Sequence, residues 1–195
     1  MLQQASDLDP VRYGTDDHRI GRALVRLESA LEHQKGFGRA THCSTTTLID
    51  GVRCRSEEGM CLIETDLPAG LGGTGAAPTP GVLLRAALGS CLAIGYRLRA
   101  ARHGVALRSI RVVVETDSEV AGMLRTDSTA RPGFGEVRYH VEIESDAPAE
   151  DVRAIVDEAD RLSPILDAVG HPNHVSRSLS IVTRPGRHNQ PKEQP

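Results

Sequence analysis

The chain has no excess of positive charge: 23 Lys and Arg stand against 26 Asp and Glu, a formal net charge of -3 with pI near 6.2. Holding a phosphate backbone takes a basic face, so no nucleic acid partner is expected. No apolar run is read as reaching the roughly 20 residues of a membrane helix, and Met1 to Asp7 carries neither the basic nor the apolar segment of a secretory signal. The expectation is a cytoplasmic protein with no membrane partner. The four cysteines, Cys43, Cys54, Cys61 and Cys91, form no CxxC pair. In a reducing compartment that excludes a disulfide framework and a zinc ribbon. There is no internal repeat, and 195 residues suit one well-buried α+β domain with an appendage.

What is present is periodicity. Ile20, Ala23, Leu24, Leu27 and Leu31 recur at helical spacing and predict an amphipathic helix over residues 15–35. From Ala40 to Asp66, Thr, Val, Ile and Cys dominate, with one break at Asp50-Gly51, a hairpin signal between two strands. Residues 81–103 are apolar nearly all round as far as Tyr96, with Thr79 suited to N-cap, Pro80 to the first helical position and Gly104 to the residue past the end. A helix apolar on every side is buried in the middle of something. Alternation at 110–115 and 137–144 predicts two half-buried strands, with a long loop from Ala121 to Gly135 between them. A helix over 149–162, an interruption at Ser163-Pro164, a short turn to Gly170 and a last strand through Val175, Arg177, Leu179 and Ile181 complete the order.

Two motifs are set aside. Gly70 to Gly75 fits GxGxxG, yet Pro78 and Pro80 delay the helix, so its last glycine cannot open one over a dinucleotide. His171 and His174 have a proline between them and no third ligand, so no metal and no cofactor are expected. Cys91 is different. It lies mid-helix with Ala87 four residues before and Gly95 four after, a small-residue face against which a second helix is expected. By itself Cys91 reads as a small apolar filler, as most buried cysteines are. Cys43, Cys54 and Cys61 fall in predicted strands and are assigned no chemistry; Cys54 and Cys61 face each other only if the register allows.

The run from Leu71-Gly72-Gly73-Thr74-Gly75 through Pro78-Thr79-Pro80 to Leu88-Gly89-Ser90-Cys91-Leu92 closely resembles the signature of the OsmC/Ohr superfamily. With the order of elements around it, the likeness covers roughly residues 40–182. It implies an α+β, OsmC-like fold: an intertwined homodimer with two buried central helices against mixed β-sheets. The domain would span 40–184, after an N-terminal helical extension at 1–39 and before a disordered tail at 185–195. The resemblance further implies a cysteine-based peroxidase, in which the Cys91 thiolate attacks a small organic hydroperoxide. The thiolate is the nucleophile and needs a nearby cation. Arg53 is the candidate for it, since related enzymes carry an arginine at that hairpin; Arg85 projects to another face of the helix. Leu84, Leu88 and Tyr96 are the expected lining for substrate. Two positions depart from the pattern. Gly81 and Val82 stand where a helix-opening glutamate is found, and Ser163 stands where a second cysteine precedes proline. An external thiol reductant is then required. The alternative is a catalytically degenerate relative that binds an apolar small molecule at the dimer cleft.

Overall fold

The computed structural model describes residues 17–183. Helix α1 (Asp17–His33) leads to three strands, β1 (Thr45–Asp50), β2 (Arg53–Glu58) and β3 (Cys61–Thr65). A 3-10 turn at Ala69–Leu71 precedes the long helix α2 (Pro80–His103). Then come β4 (Leu107–Ser118), a short α3 (Val120–Leu124), β5 (Phe134–Ser145), α4 (Ala149–Arg161) and α5 (Pro164–Gly170). The first three strands form one sheet and β4 pairs with β5 in another. Both sheets are antiparallel, where mixed sheets were expected.

Helix α2 ends as its sequence requires. The Thr79 hydroxyl accepts from Val82 N–H, Pro80 occupies the first turn, and Gly104 takes φ +69° with its N–H on the Ala100 carbonyl. Its stripe Leu88, Leu92, Tyr96 and Ala100, spaced four apart, has no exposed surface at all and packs with Leu107, Ile155 and Ala159 into the core. Burying one leucine-sized side chain is worth about 1.5–3 kcal/mol, so this stripe anchors the α2, β4–β5 and α4 layers. Within one chain the helix is not enclosed on every side as expected, because Ile94 stays 59 % exposed and Val82 40 %. The expectation that no run could cross a membrane also needs correcting. By length and composition α2 is long and apolar enough, although its stripe is spent on the core.

Helix α1 docks on the far half of α2. Asp17 pairs with Arg97 at 2.6 Å, Glu28 pairs with Arg102, and Gly21 lets the backbones approach the Ala101 carbonyl.

Four further expectations fail. The segment before α2 holds three strands rather than two, because Gly59 at φ +56° makes a second turn. The predicted loop from Ala121 to Gly135 contains α3, packed so closely that a side chain at Gly122 would lie 2.1 Å from the Arg131 carbonyl. The turn after Ser163 is helix α5. No strand forms over 175–181, where Val175 is 87 % and Ile181 75 % exposed. Alternation only prepares a strand; backbone pairing makes one, and this segment pairs with neither sheet. The predicted tail at 185–195 lies outside the described residues.

The glycine-rich segment is organised by a carboxylate. Asp66, 2 % exposed, accepts from Leu67 N–H at 2.8 Å, Thr74 N–H at 3.1 Å, Ala76 N–H at 3.0 Å and the Thr74 hydroxyl at 2.7 Å. A side chain at Gly73 would fall 1.8 Å from the Leu67 carbonyl oxygen. The glycines therefore serve a tight wrap around Asp66, which delivers the chain to the start of α2. The Thr74 hydroxyl and then the backbone donors hold the Asp66 carboxyl at about 2, below its ordinary 3.8. A depressed folded-state value means the carboxylate's contribution is whole above pH 3.8 and is lost as pH falls toward 2. Asp66→Asn should lower the melting temperature at neutral pH and flatten its decline between pH 4 and 2, measured by thermal melts across that range.

Candidate functional site

Cys91, Ala87 and Gly95 lie in a row beside the buried stripe of α2. At Gly95 this face meets α4 of the same chain, where an added Cβ would sit 3.6 Å from the Ala159 Cβ. Where α4 gives way to α5 a cavity of about 500 Å³ is lined by Cys91 and by residues of both helices. Ile94 and Leu98 form one side, Leu162 and Ile165 the other, and Arg99 stands at one end. Arg99 is eight residues from Cys91, roughly 12 Å along the helix, and pairs with Glu158 at 3.5 Å.

The group beside the cysteine is Ser163. Its Oγ lies 3.4 Å from the Cys91 Sγ, and the residue is only 4 % exposed. The same oxygen caps α5 by accepting from Leu166 N–H at 3.3 Å.

Ser163 is held in place by a buried network. Its N–H donates to the Asp160 carbonyl at 3.3 Å. The Asp160 carboxylate accepts from the Tyr96 hydroxyl at 2.7 Å and the Tyr139 hydroxyl at 2.9 Å. Burial, then the bond to Asp160, pushes the Tyr139 phenol up to about 12 and moves Tyr96 in the same direction. Both therefore remain protonated donors through the physiological range, and the end of α4 is pinned to α2 and β5 together.

The expected substrate lining is accordingly corrected. Leu88 and Tyr96 have no exposed surface and belong to the core, and the half-buried Leu84 stands outside the cavity wall. The stripe beginning at Leu88 turns toward the core, and it is Ile94 and Leu98 that line the cavity.

Arg53 does not meet Cys91 within one chain. Its guanidinium pairs with Glu64 across β2 and β3, and Arg55 joins the same carboxylate at 2.9 Å. The bond from Arg53, then that from Arg55, lowers the Glu64 carboxyl, while Glu64 raises Arg53. Glu64 is thus a carboxylate that orients Arg53, missed because its partner is eleven residues away on another strand. Arg85 faces away from Cys91, as expected, donating to the Thr116 hydroxyl at 2.8 Å. Cys54 pairs across the sheet with Thr65, and Cys61 with Glu58, so these two cysteines do not oppose each other. Among the described residues no cluster of His, Cys, Asp and Glu is arranged to hold a metal ion.

Residues 73–177, over half of the chain, match the family model described as OsmC-like protein. No curated protein matches the chain in sequence. Among solved structures it is similar to an OsmC-like protein from Mycoplasma pneumoniae, with TM-score 0.58 and 16% identity over 67% of this chain and 88% of that one. An organic hydroperoxide resistance protein from Elizabethkingia anophelis gives TM-score 0.51 and 20% identity over 68% and 90%. One from Legionella pneumophila gives TM-score 0.50 and 18% identity over 67% and 89%. At these identities the likeness to solved structures speaks for the fold.

The distance between positions 91 and 163 is directly testable. Replacing Ser163 with Cys puts two sulfurs within a small side-chain rotation of disulfide geometry. Mild oxidation of Ser163→Cys with diamide should yield a 91–163 crosslink in non-reducing peptide maps; a map without it would contradict the placement of α5.

Proposed function

Because this chain belongs to the OsmC-like protein family, we propose that it reduces small organic hydroperoxides through Cys91, with an external thiol closing the cycle. The observation that carries this is the position of the Cys91 sulfur, half-buried at the base of an open, largely apolar cavity of about 500 Å³. A hydroperoxide with an apolar body fits that lining, and its peroxide end reaches the sulfur.

The thiolate sulfur attacks the distal oxygen of R–O–O–H, forming an S–O bond as the O–O bond breaks. Two electrons pass from sulfur to the peroxide; Cys91 becomes a sulfenic acid, and the departing alkoxide takes a proton to leave as an alcohol. Ser163 has no thiol with which to capture that state. An external thiol attacks the sulfenic sulfur, releasing water and leaving a mixed disulfide, and a second thiol then frees Cys91 as the external disulfide departs.

The assembly we propose is an interlocked homodimer. The sheet β1–β3 has no buried residue, and Leu48 at 63 % and Leu62 at 57 % exposure have no cover from their own chain. A small sheet without an apolar backing is marginal in water. A second copy would supply that backing and would bring Arg53, held by Glu64, toward a Cys91 site as the cation for its thiolate.

One observation favours a second reading, a degenerate relative that binds an apolar molecule. In the single chain the hydrogen-bonding neighbour of Cys91 is a neutral hydroxyl, not a guanidinium. The two readings part on redox chemistry. With cumene hydroperoxide, the protein should lose one titratable thiol per chain, trapped by dimedone at Cys91. Cys91→Ser should abolish the loss, and Arg53→Met should slow it by roughly ten- to a hundredfold, the worth of one charge-assisted hydrogen bond. An unchanged thiol titre would leave only the binding reading. Separately, sedimentation should give about 42 kDa, twice the 21.0 kDa chain, with Leu48→Asp and Leu62→Asp together shifting it toward the monomer.

A further inference from the structure

We propose that Ser163 is itself a catalytic residue, its hydroxyl donating a hydrogen bond to the Cys91 sulfur and stabilising the nucleophilic thiolate. This deepens the peroxidase reading and rests on it for the word catalytic; the hydrogen bond stands or falls by itself.

The direction of the bond is set by the ionised sulfur, which carries no hydrogen and can only accept. Ser163 Oγ accepts the Leu166 N–H at 3.3 Å with one lone pair, which leaves its hydroxyl hydrogen available to donate. Its neighbour at 3.4 Å is Cys91 Sγ. A thiolate accepts more strongly than a thiol, so the bond favours the charged form. The Leu166 N–H polarises the hydroxyl and strengthens its donation, in a relay from amide to hydroxyl to sulfur. The geometry does not drift, because Ser163 is buried and its N–H is tied to Asp160, whose carboxylate is clamped by Tyr96 and Tyr139. Serine at this position therefore keeps a donor beside the sulfur while being unable to form a disulfide, which leaves the oxidised sulfur open to a thiol entering the cavity.

Few charges face the cysteine from the elements packed around it. Arg99 comes from α2, with Glu158 of α4 as its partner, and Glu158 also meets His103 at 2.7 Å. Asp160 of α4 is turned to the two phenols, and α5 contributes no charged residue to the cavity wall. Arg53 is the cation proposed to arrive from the dimer. None of these changes in a substitution at Ser163.

The test is the pH profile of Cys91 alkylation by iodoacetamide in the full chain, followed by peptide-resolved mass spectrometry. Ser163→Ala removes the donor and should move the midpoint up by about one unit, a tenfold fall in thiolate at a given pH below it. Ser163→Gly also removes the donor but keeps most of the capping, since glycine substitutes for serine at an N-cap at far smaller cost than alanine, and it should move the midpoint as Ala does. Ser163→Thr keeps both hydroxyl and cap and should follow the wild-type curve. If Ser163 acts only as a cap, Ser163→Gly will follow the wild-type curve, and that result overturns the proposal, as does a Ser163→Ala curve superimposed on wild type. No peroxide enters this measurement. A shifted profile in a protein inert to cumene hydroperoxide would remove the peroxidase reading and leave the Ser163–Cys91 bond standing.

Discussion

The packing of Leu88, Leu92, Tyr96 and Ala100 against β4–β5 and α4 is the contact from which the rest of the molecule follows. It sets the rotation of α2 about its own axis. Once that stripe is turned to the core, the neighbouring row of Ala87, Cys91 and Gly95 is presented to α4 and α5. Gly95 in that row lies against Ala159 of α4, and the cavity lies where α4 passes to α5 at Ser163. The cysteine is neither sealed in hydrocarbon nor free in solvent. A large residue at Gly95 would hold α4 off and dismantle this geometry without touching the sulfur.

Polar groups do the finer placement. Asp66 gathers four donors and so fixes where α2 begins. Asp160 gathers two phenols and so fixes where α4 ends. Burying a carboxylate is costly unless donors surround it, and that cost is why each serves as a definite positional constraint. The two between them determine where Cys91 and Ser163 stand along their helices. Glu64 does comparable work at the surface, holding two arginines in one orientation.

The division between covered and uncovered apolar surface is uneven. The α2 core is dry, yet the sheet β1–β3 and the segment 171–183 leave leucines, isoleucines and valines in water. A single chain gains nothing from that exposure, and the proposed association of copies would cover it. In the proposed homodimer the same association would bring the Arg53–Glu64 pair into play, and completion of the fold and of the proposed site would be one event.

Much of the chain was legible in its sequence because the governing interactions are local. Thr79, Pro80 and Gly104 mark the ends of α2 by hydrogen bonds and φ angles within one turn, and the alternation of Val112, Val114, Val137 and Val141 identifies two half-buried strands. The likeness to OsmC proteins could be read from the run into Cys91 for the same reason. Local signals failed where the deciding partner is distant. Val175 to Ile181 alternates as a strand does but pairs with neither sheet, and Leu88 and Tyr96 looked like cavity lining until the core claimed them. By itself the sequence determined the three long helices, most strands, their order and the family. Tertiary structure alone decided that a hydroxyl 72 residues away faces the sulfur, that Asp160 holds it there, and that Arg53 leans on Glu64. Contacts of that range depend on how whole layers pack, and no periodicity along the chain encodes them.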